Sequence, residues 1–203
     1  LWAVRSAGID AATGREIFLH KDGTQSFAYN VEDEVVVGNS DPKLEGVVGM
    51  SFYYKGFSAS ANFRYRLGGQ IFMETLYNKV ENISFSDVHY NQDKRALYDR
   101  WKEPGDNAKL PQFAYGNTNI ASSRWLMSTD HLRIKNITLG FTMPSKVSQK
   151  WGINKLRAFV SANNLLTWKS DGLYVDPETP VDGLCTFETP ALRTITFGLE
   201  VGF

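Results

Sequence analysis

Three histidines, one cysteine and a scatter of carboxylates are the residues of this 203-residue chain whose types could carry chemistry, and their spacing supports none. His20, His89 and His131 are spread along the chain without ligand spacing, and neither a zinc-type motif nor a nucleophile elbow occurs. Cys185 stands alone, so no internal disulfide is possible and it reads as a small loop residue. Asp41, Glu45, Asp176 and Glu178 could be paired on paper as acid and base, but nothing in the sequence brings a pair to catalytic separation. No catalytic, cofactor-binding or metal-ligating residue is assigned, and the chain reads as a non-enzyme without cofactor. Lys and Arg match Asp and Glu at 22 each, a balance that gives no support to a nucleic-acid partner.

Residues suited to touching a solute are present. Asn62, Arg64, Arg66 and Arg157 carry amide and guanidinium groups that hydrogen-bond polar molecules, with pairing to acidic groups or water as the plainer reading. Trp101, Tyr115 and Trp125, with Trp168 and Tyr174, offer flat rings that stack on sugars. Aromatic residues also pack loops and form the interfacial girdles of membrane barrels.

Strands must position all of these. In Phe57 to Leu67, Phe57, Ala59, Ala61, Phe63, Tyr65 and Leu67 share one face, and Ser58, Ser60, Asn62, Arg64 and Arg66 the other. Just before it Val48, Met50, Phe52 and Tyr54 alternate with Val47, Gly49, Ser51 and Tyr53, and Lys55-Gly56 leaves room only for a tight hairpin. The same alternation appears in Thr129 to Met143, in Lys155 to Thr167, and at the end, where Ile195, Phe197, Leu199, Val201 and Phe203 face away from Thr194, Thr196, Gly198, Glu200 and Gly202. Trp2 to Ile9 and Glu16 to His20 read as two shorter strands about the turn Asp10 to Gly14. About seven strands result, several near the roughly 9 to 11 residues that a tilted strand needs to cross a membrane. No stretch approaches the roughly 18 to 20 apolar residues of a membrane helix, but barrel strands escape such a count because lipid-facing and lumen-facing residues alternate.

The connections sort by length. They are short at 10–14 and 55–56, moderate at 144–154, and long at 22–42, 68–128 and 168–190. The longest holds an expected short helix at Asp93 to Trp101, and Pro144 to Lys150 is expected to form another helical turn. Outer-membrane barrels have short periplasmic turns and long extracellular loops, which predicts long loops outside and Phe203 on the periplasmic side.

Six blocks resemble, in order, the C-terminal region of the SusC/RagA family of TonB-dependent transporters. They are Ala7-Gly8-Ile9-Asp10 with Thr13-Gly14; Val37 to Lys43; Tyr54-Lys55-Gly56-Phe57; Leu132 to Pro144; Ser161 to Thr167; and Arg193 to Phe203, and Arg100 to Pro111 also looks like the family's extracellular loop. The resemblance implies an all-β, antiparallel transmembrane barrel of roughly 22 strands, plugged by a separate N-terminal domain. Residues 1–203 would then be C-terminal strands, about a third of that barrel, with the plug and the TonB-contacting segment lying outside this chain. It further implies TonB-driven import of nutrients, oligosaccharides first and peptides or other solutes as the alternative. The implied partners are a SusD-like surface lipoprotein, TonB, the rest of the barrel and its plug, and outer-membrane lipid. Phe197, Leu199, Val201 and Phe203 resemble the signal read by the outer-membrane assembly machinery. Two rival classes are a carbohydrate-binding β-sandwich and a barrel with only an adhesive or structural role.

The assigned sidedness makes a mutational prediction. Arginine at Phe63 or Leu199 should hinder membrane insertion by about 2 to 4 kcal/mol if the site lies near the midplane, whereas arginine at Ser60 should be tolerated far better. Folded yield in bilayers measures the difference, and equal damage at both kinds of site would contradict the sidedness.

Overall fold

The computed structural model describes residues 1–113, 120–173, 175–178 and 191–203. In chain order the strands are β1 (Trp2–Ile9), β2 (Glu16–Leu19), β3 (Gln25–Ser26), β4 (Glu34–Val36), β5 (Leu44–Tyr54), β6 (Phe57–Leu67), β7 (Gln70–Phe72), β8 (Leu126–Ser128), β9 (His131–Thr142), β10 (Lys155–Asn163), β11 (Thr167–Lys169) and β12 (Thr194–Gly202). Two units form: one built from 1–41 and 70–128, the other from 42–69, 129–177 and the C-terminal strand.

The second unit is a six-stranded antiparallel sheet in the order β12-β10-β9-β6-β5, with the short β11 also paired to β9. β5 and β6 are joined by Lys55-Gly56, both at positive φ, 45° and 89°. A Cβ at Gly56 would collide with the Thr142 carbonyl, so glycine is needed there for space as well as for conformation. β9 and β10 are joined through the helical turn Ser145–Ser148, which starts after Pro144 as the sequence predicts. These connections leave from one end of the sheet, and the longer ones, 68–130 and 164–193, leave from the other.

Register turns alternation within a strand into two continuous faces, because directly opposed residues point the same way. Phe52, Ala59 and Leu139 are opposed in turn, then Leu139 and Val160, then Val160 and Phe197. Among the described residues no second layer covers this apolar face. Val48, Met50, Phe52 and Tyr54 are 51 to 63% exposed, and Ile195, Phe197 and Leu199 are 62 to 81% exposed. A β-sandwich would bury these rows against another sheet, and no described strand does so. Aromatic residues gather at both ends of the face, Tyr54, Phe57 and Phe141 at the short-turn end and Tyr65 and Trp168 at the other, as in the two girdles of a membrane barrel.

The first unit departs from expectation. β1 and β2 were expected to continue the membrane sheet, but they pair with each other and with β3 and β4 in a separate sheet of order β3-β2-β1-β4. The physical reason is burial by protein: Ala3, Val4 and Phe18 are covered, with Ile71, Met73, Leu76, Val80 and Trp125 completing the unit's core. The turn after β1 is an Asx turn, Asp10 Oδ2 accepting from the Thr13 N–H at 3.0 Å and the Thr13 hydroxyl at 2.6 Å. The helix expected at Asp93 to Trp101 is shorter, Arg95–Tyr98. The membrane-length strands are therefore β5, β6, β9, β10 and β12.

Candidate functional site

The polar face of the long sheet carries the candidates. Its middle is a row of hydroxyls, Ser51, Ser60, Thr138, Ser161 and Thr196, each directly opposite the next across neighbouring strands. One step along lies an amide row, with Asn62 opposite Asn136 and Asn136 opposite Asn163. Asn136 is its hub: Nδ2 donates to Ser161 Oγ at 2.9 Å and to Asn163 Oδ1 at 2.8 Å, while Oδ1 accepts from the Thr138 hydroxyl at 3.1 Å. Toward the short-turn end Phe159 lies between Gly140 and Gly198, and a Cβ on Gly198 would occupy the Phe159 ring. The Arg157 guanidinium rests 5.3 Å over that ring and 3.7 Å from Glu200.

Charge concentrates at the opposite end. Arg64 donates to Glu45 at 2.6 Å, and Arg66 follows on the same face. Asn62, Arg64, Arg66 and Arg157 thus share one polar face, as their alternation predicts. Arg133 and His131 join it, opposite Arg64 and Arg66, although the sequence reading did not single them out for it. The cause is a β-bulge: Asn62 opposes Asn136 but Phe63 opposes Ile134, leaving Lys135 unmatched. The extra residue flips the phase of β9, sending Ile134 to the apolar face and Arg133 to the polar one. The signal is visible in the sequence, since alternation in Leu132-Arg133-Ile134 falls out of step with Asn136-Ile137-Thr138 at Lys135.

The loop aromatics are placed differently. Trp101 donates from Nε1 to the Ala11 carbonyl at 2.8 Å, and its ring lies where a Cβ on Gly14 would be, so it packs the Asp10 to Gly14 turn. Trp125 is buried under the Arg124 guanidinium, which sits 5.0 Å from its ring. Trp125 is too buried to stack on a solute, and Trp101 is engaged by the turn while remaining partly exposed. Trp168 lies on the apolar face of the sheet, while Tyr115, Tyr174 and Cys185 lie outside the described residues. Phe197, Leu199, Val201 and Phe203 stand on the exposed apolar side of the edge strand β12 and its end. The histidines occupy separate surroundings: His20 Nδ1 meets Asp33 at 2.5 Å, His131 Nδ1 meets the Thr129 carbonyl at 2.8 Å, and His89 lies edge-on to Phe85.

An ionic core fixes the first unit. Arg124 bridges Glu16 at 3.0 Å and Glu81 at 2.7 Å, and Ser122 donates to Glu16 at 2.5 Å. Arg100 donates to the carbonyls of Val80, Glu81, Ala96 and Pro111, satisfying backbone groups that would otherwise be buried unpaired. Burial pushes the Glu81 carboxyl up to about 7 against the pull of Arg124, while the Arg95 guanidinium holds Asp93 down at about 2.

Comparison with known proteins fits this geometry. The folded section, a two-faced antiparallel sheet with girdles and length-sorted connections, is a part of a transmembrane β-barrel. No protein-family model matches the chain. It is similar to two curated proteins of Formosa agariphila, TonB-dependent receptor P3 at 26% identity over 96% of this chain and 19% of that protein, and TonB-dependent receptor P39 at 28% over 88% and 18%. Solved structures of the RagAB peptide transporter share the fold over the whole chain and 23% of theirs, with a TM-score of 0.82 and 23% identity. The RagAB peptide importer in its open-open state gives the same TM-score at 24% identity, over 22% of that chain. The chain therefore resembles a barrel region of TonB-dependent transporters, and it spans about a fifth of the length of the curated relatives it matches.

The Glu81 environment makes a pH prediction. Its folded carboxyl binds a proton more tightly than the unfolded one, so between about 4.5 and 7 the first unit should lose stability as pH rises, by at most roughly 1.4 kcal/mol per pH unit. Asp93 acts with the opposite sign, its contribution being lost as pH falls from about 3.8 toward 2. Hydrogen exchange in Tyr77–Glu81, corrected for intrinsic rates, should show the first slope in the native protein and a flat profile in Glu81→Gln. An unchanged slope in the variant would assign it elsewhere.

Proposed function

We propose that residues 1–203 are part of the barrel domain of a TonB-dependent transporter that imports nutrients across the bacterial outer membrane. The observation that carries the reading is the pairing of a bare apolar face with a continuous hydrogen-bonding face on one sheet. The first meets lipid, and the second lines a lumen through which a polar solute passes when the plug is displaced. Asn62, Arg64, Arg66 and Arg157 face the lumen, and the hydroxyl and amide rows extend them. The long connections face the outside and the short turns the periplasm, by the ordinary sorting of such barrels.

Oligosaccharides are the cargo proposed first, since flat rows of hydroxyls and amides exchange hydrogen bonds with sugars without charge selectivity. Peptides form the second reading, favoured by the likeness to the RagAB peptide transporter. The partners are a SusD-like surface lipoprotein, TonB reached through a region outside this chain, the remaining strands, the plug, and lipid. The row ending at Phe203 acts as the assembly signal.

One experiment addresses these points together. Cells carrying the complete gene, a deletion, or a version lacking Phe203 are offered purified glycans and peptides, with uptake normalised to folded barrel. Deletion should abolish uptake of one cargo class. Removal of Phe203 should lower folded barrel severalfold while leaving uptake per folded copy unchanged. Undiminished uptake of every cargo in the deletion strain would defeat the import reading, and an unchanged barrel level would defeat the assembly role.

A further inference from the structure

The polar face of the long sheet ends, beside the long connections, in a cavity of about 350 Å³ lined by Arg133, Asn164, Thr167, Lys169, Asp176 and Arg193, among others. Its size is within the range of small-molecule sites. Among the described lining residues three cations face one carboxylate, in contrast to the neutral hydroxyl and amide rows deeper along the same face.

The cavity is built rather than incidental. Arg133 is buried at 3% exposure, and its guanidinium is aimed by two bonds, Nε to Thr167 Oγ1 at 3.0 Å and a terminal nitrogen to Asp176 at 2.5 Å. Lys169 donates to the Val175 carbonyl at 2.8 Å, so Arg133 and Lys169 together hold the 175–177 wall. The opposite wall is tied by Asn164, which takes a left-handed φ of 52° and donates from Nδ2 to the Leu192 carbonyl at 3.2 Å, placing Ala191 and Arg193 on the rim. The ammonium of Lys169 and the guanidinium of Arg193 both belong to exposed residues, whereas Asp176, the one acid among the described lining residues, is engaged by Arg133.

We propose that this cavity is a carboxylate-binding subsite, which takes the acid group of an incoming oligomer before it reaches the neutral rows. An excess of cations in a concave site raises the local concentration of anions, and a guanidinium fork with a neighbouring ammonium suits the geometry of a carboxylate. The inference rests on the import reading and narrows its cargo. A uronic-acid sugar and a peptide C-terminus present the same group, so the two sources are separated by the test.

The complete transporter, purified in detergent, is titrated calorimetrically with tri-galacturonate and its carboxyl-reduced neutral form, and with pentaalanine bearing a free or an amidated C-terminus. At least one free acid should bind about tenfold more tightly than its neutral counterpart, with an affinity that falls as salt rises. The pair that discriminates identifies the source. The double variant K169A/R193A should lose the discrimination while binding the neutral form as the native protein does, and K169R/R193K should keep it. Equal binding of acid and neutral forms, binding of neither, or discrimination that survives the double alanine variant would overturn the subsite. In those cases uptake of neutral oligomers by intact cells still upholds the import reading, and absence of uptake of any oligomer defeats that reading separately.

Discussion

Hydrocarbon offers no partner to a backbone N–H or C=O, so a strand that crosses it must satisfy both through its neighbours. From this constraint follow the lengths of β5, β6, β9, β10 and β12, their unbroken antiparallel register, and the requirement that β5 and β12, at the two edges of the sheet, pair with strands other than those of the described sheet. It also explains where irregularity is tolerated. The bulge at Lys135 and the left-handed turn at Asn164 lie toward the long-connection end, and the freed groups are taken up locally: Asn164 N–H by the Lys135 carbonyl at 3.0 Å and Ile134 N–H by the Leu166 carbonyl at 2.9 Å.

The bulge gives the polar wall its gradient. With strict alternation β9 would have placed Ile134 beside Asn62 and Arg64, and Arg133 would have faced outward. One extra residue instead brings Arg133 and His131 alongside Arg64 and Arg66, so the wall passes from small neutral groups to a charged end within a few residues. The sheet keeps its apolar side intact across the same break, since Ile134 and Leu132 move to that side together.

Much of this architecture is legible in the residues because period two is imposed by the sheet itself. Phe57 to Leu67 and Ile195 to Phe203 could be assigned a lipid side directly, and the hairpin at Lys55-Gly56 followed from its brevity. β1 and β2 were misplaced because alternation reports one covered side without saying whether lipid or protein covers it, and Ala3, Val4 and Phe18 are covered by protein. The ionic core of the first unit was illegible for another reason: Glu16 and Arg124 meet across more than a hundred residues of sequence, and no local pattern encodes such a contact. Trp101 and Trp125 show the same limit, since only the fold reveals that each ring packs against residues of its own unit.

The two-faced wall is tested most directly by spin labels on single cysteines in the complete protein, with Cys185 replaced by serine, reconstituted in bilayers. Labels at Val48 and Phe197 should respond to lipid-soluble oxygen, and labels at Ser60 and Ser161 to a water-soluble nickel complex. The same accessibility on both sets of positions would contradict a sheet that divides membrane from lumen.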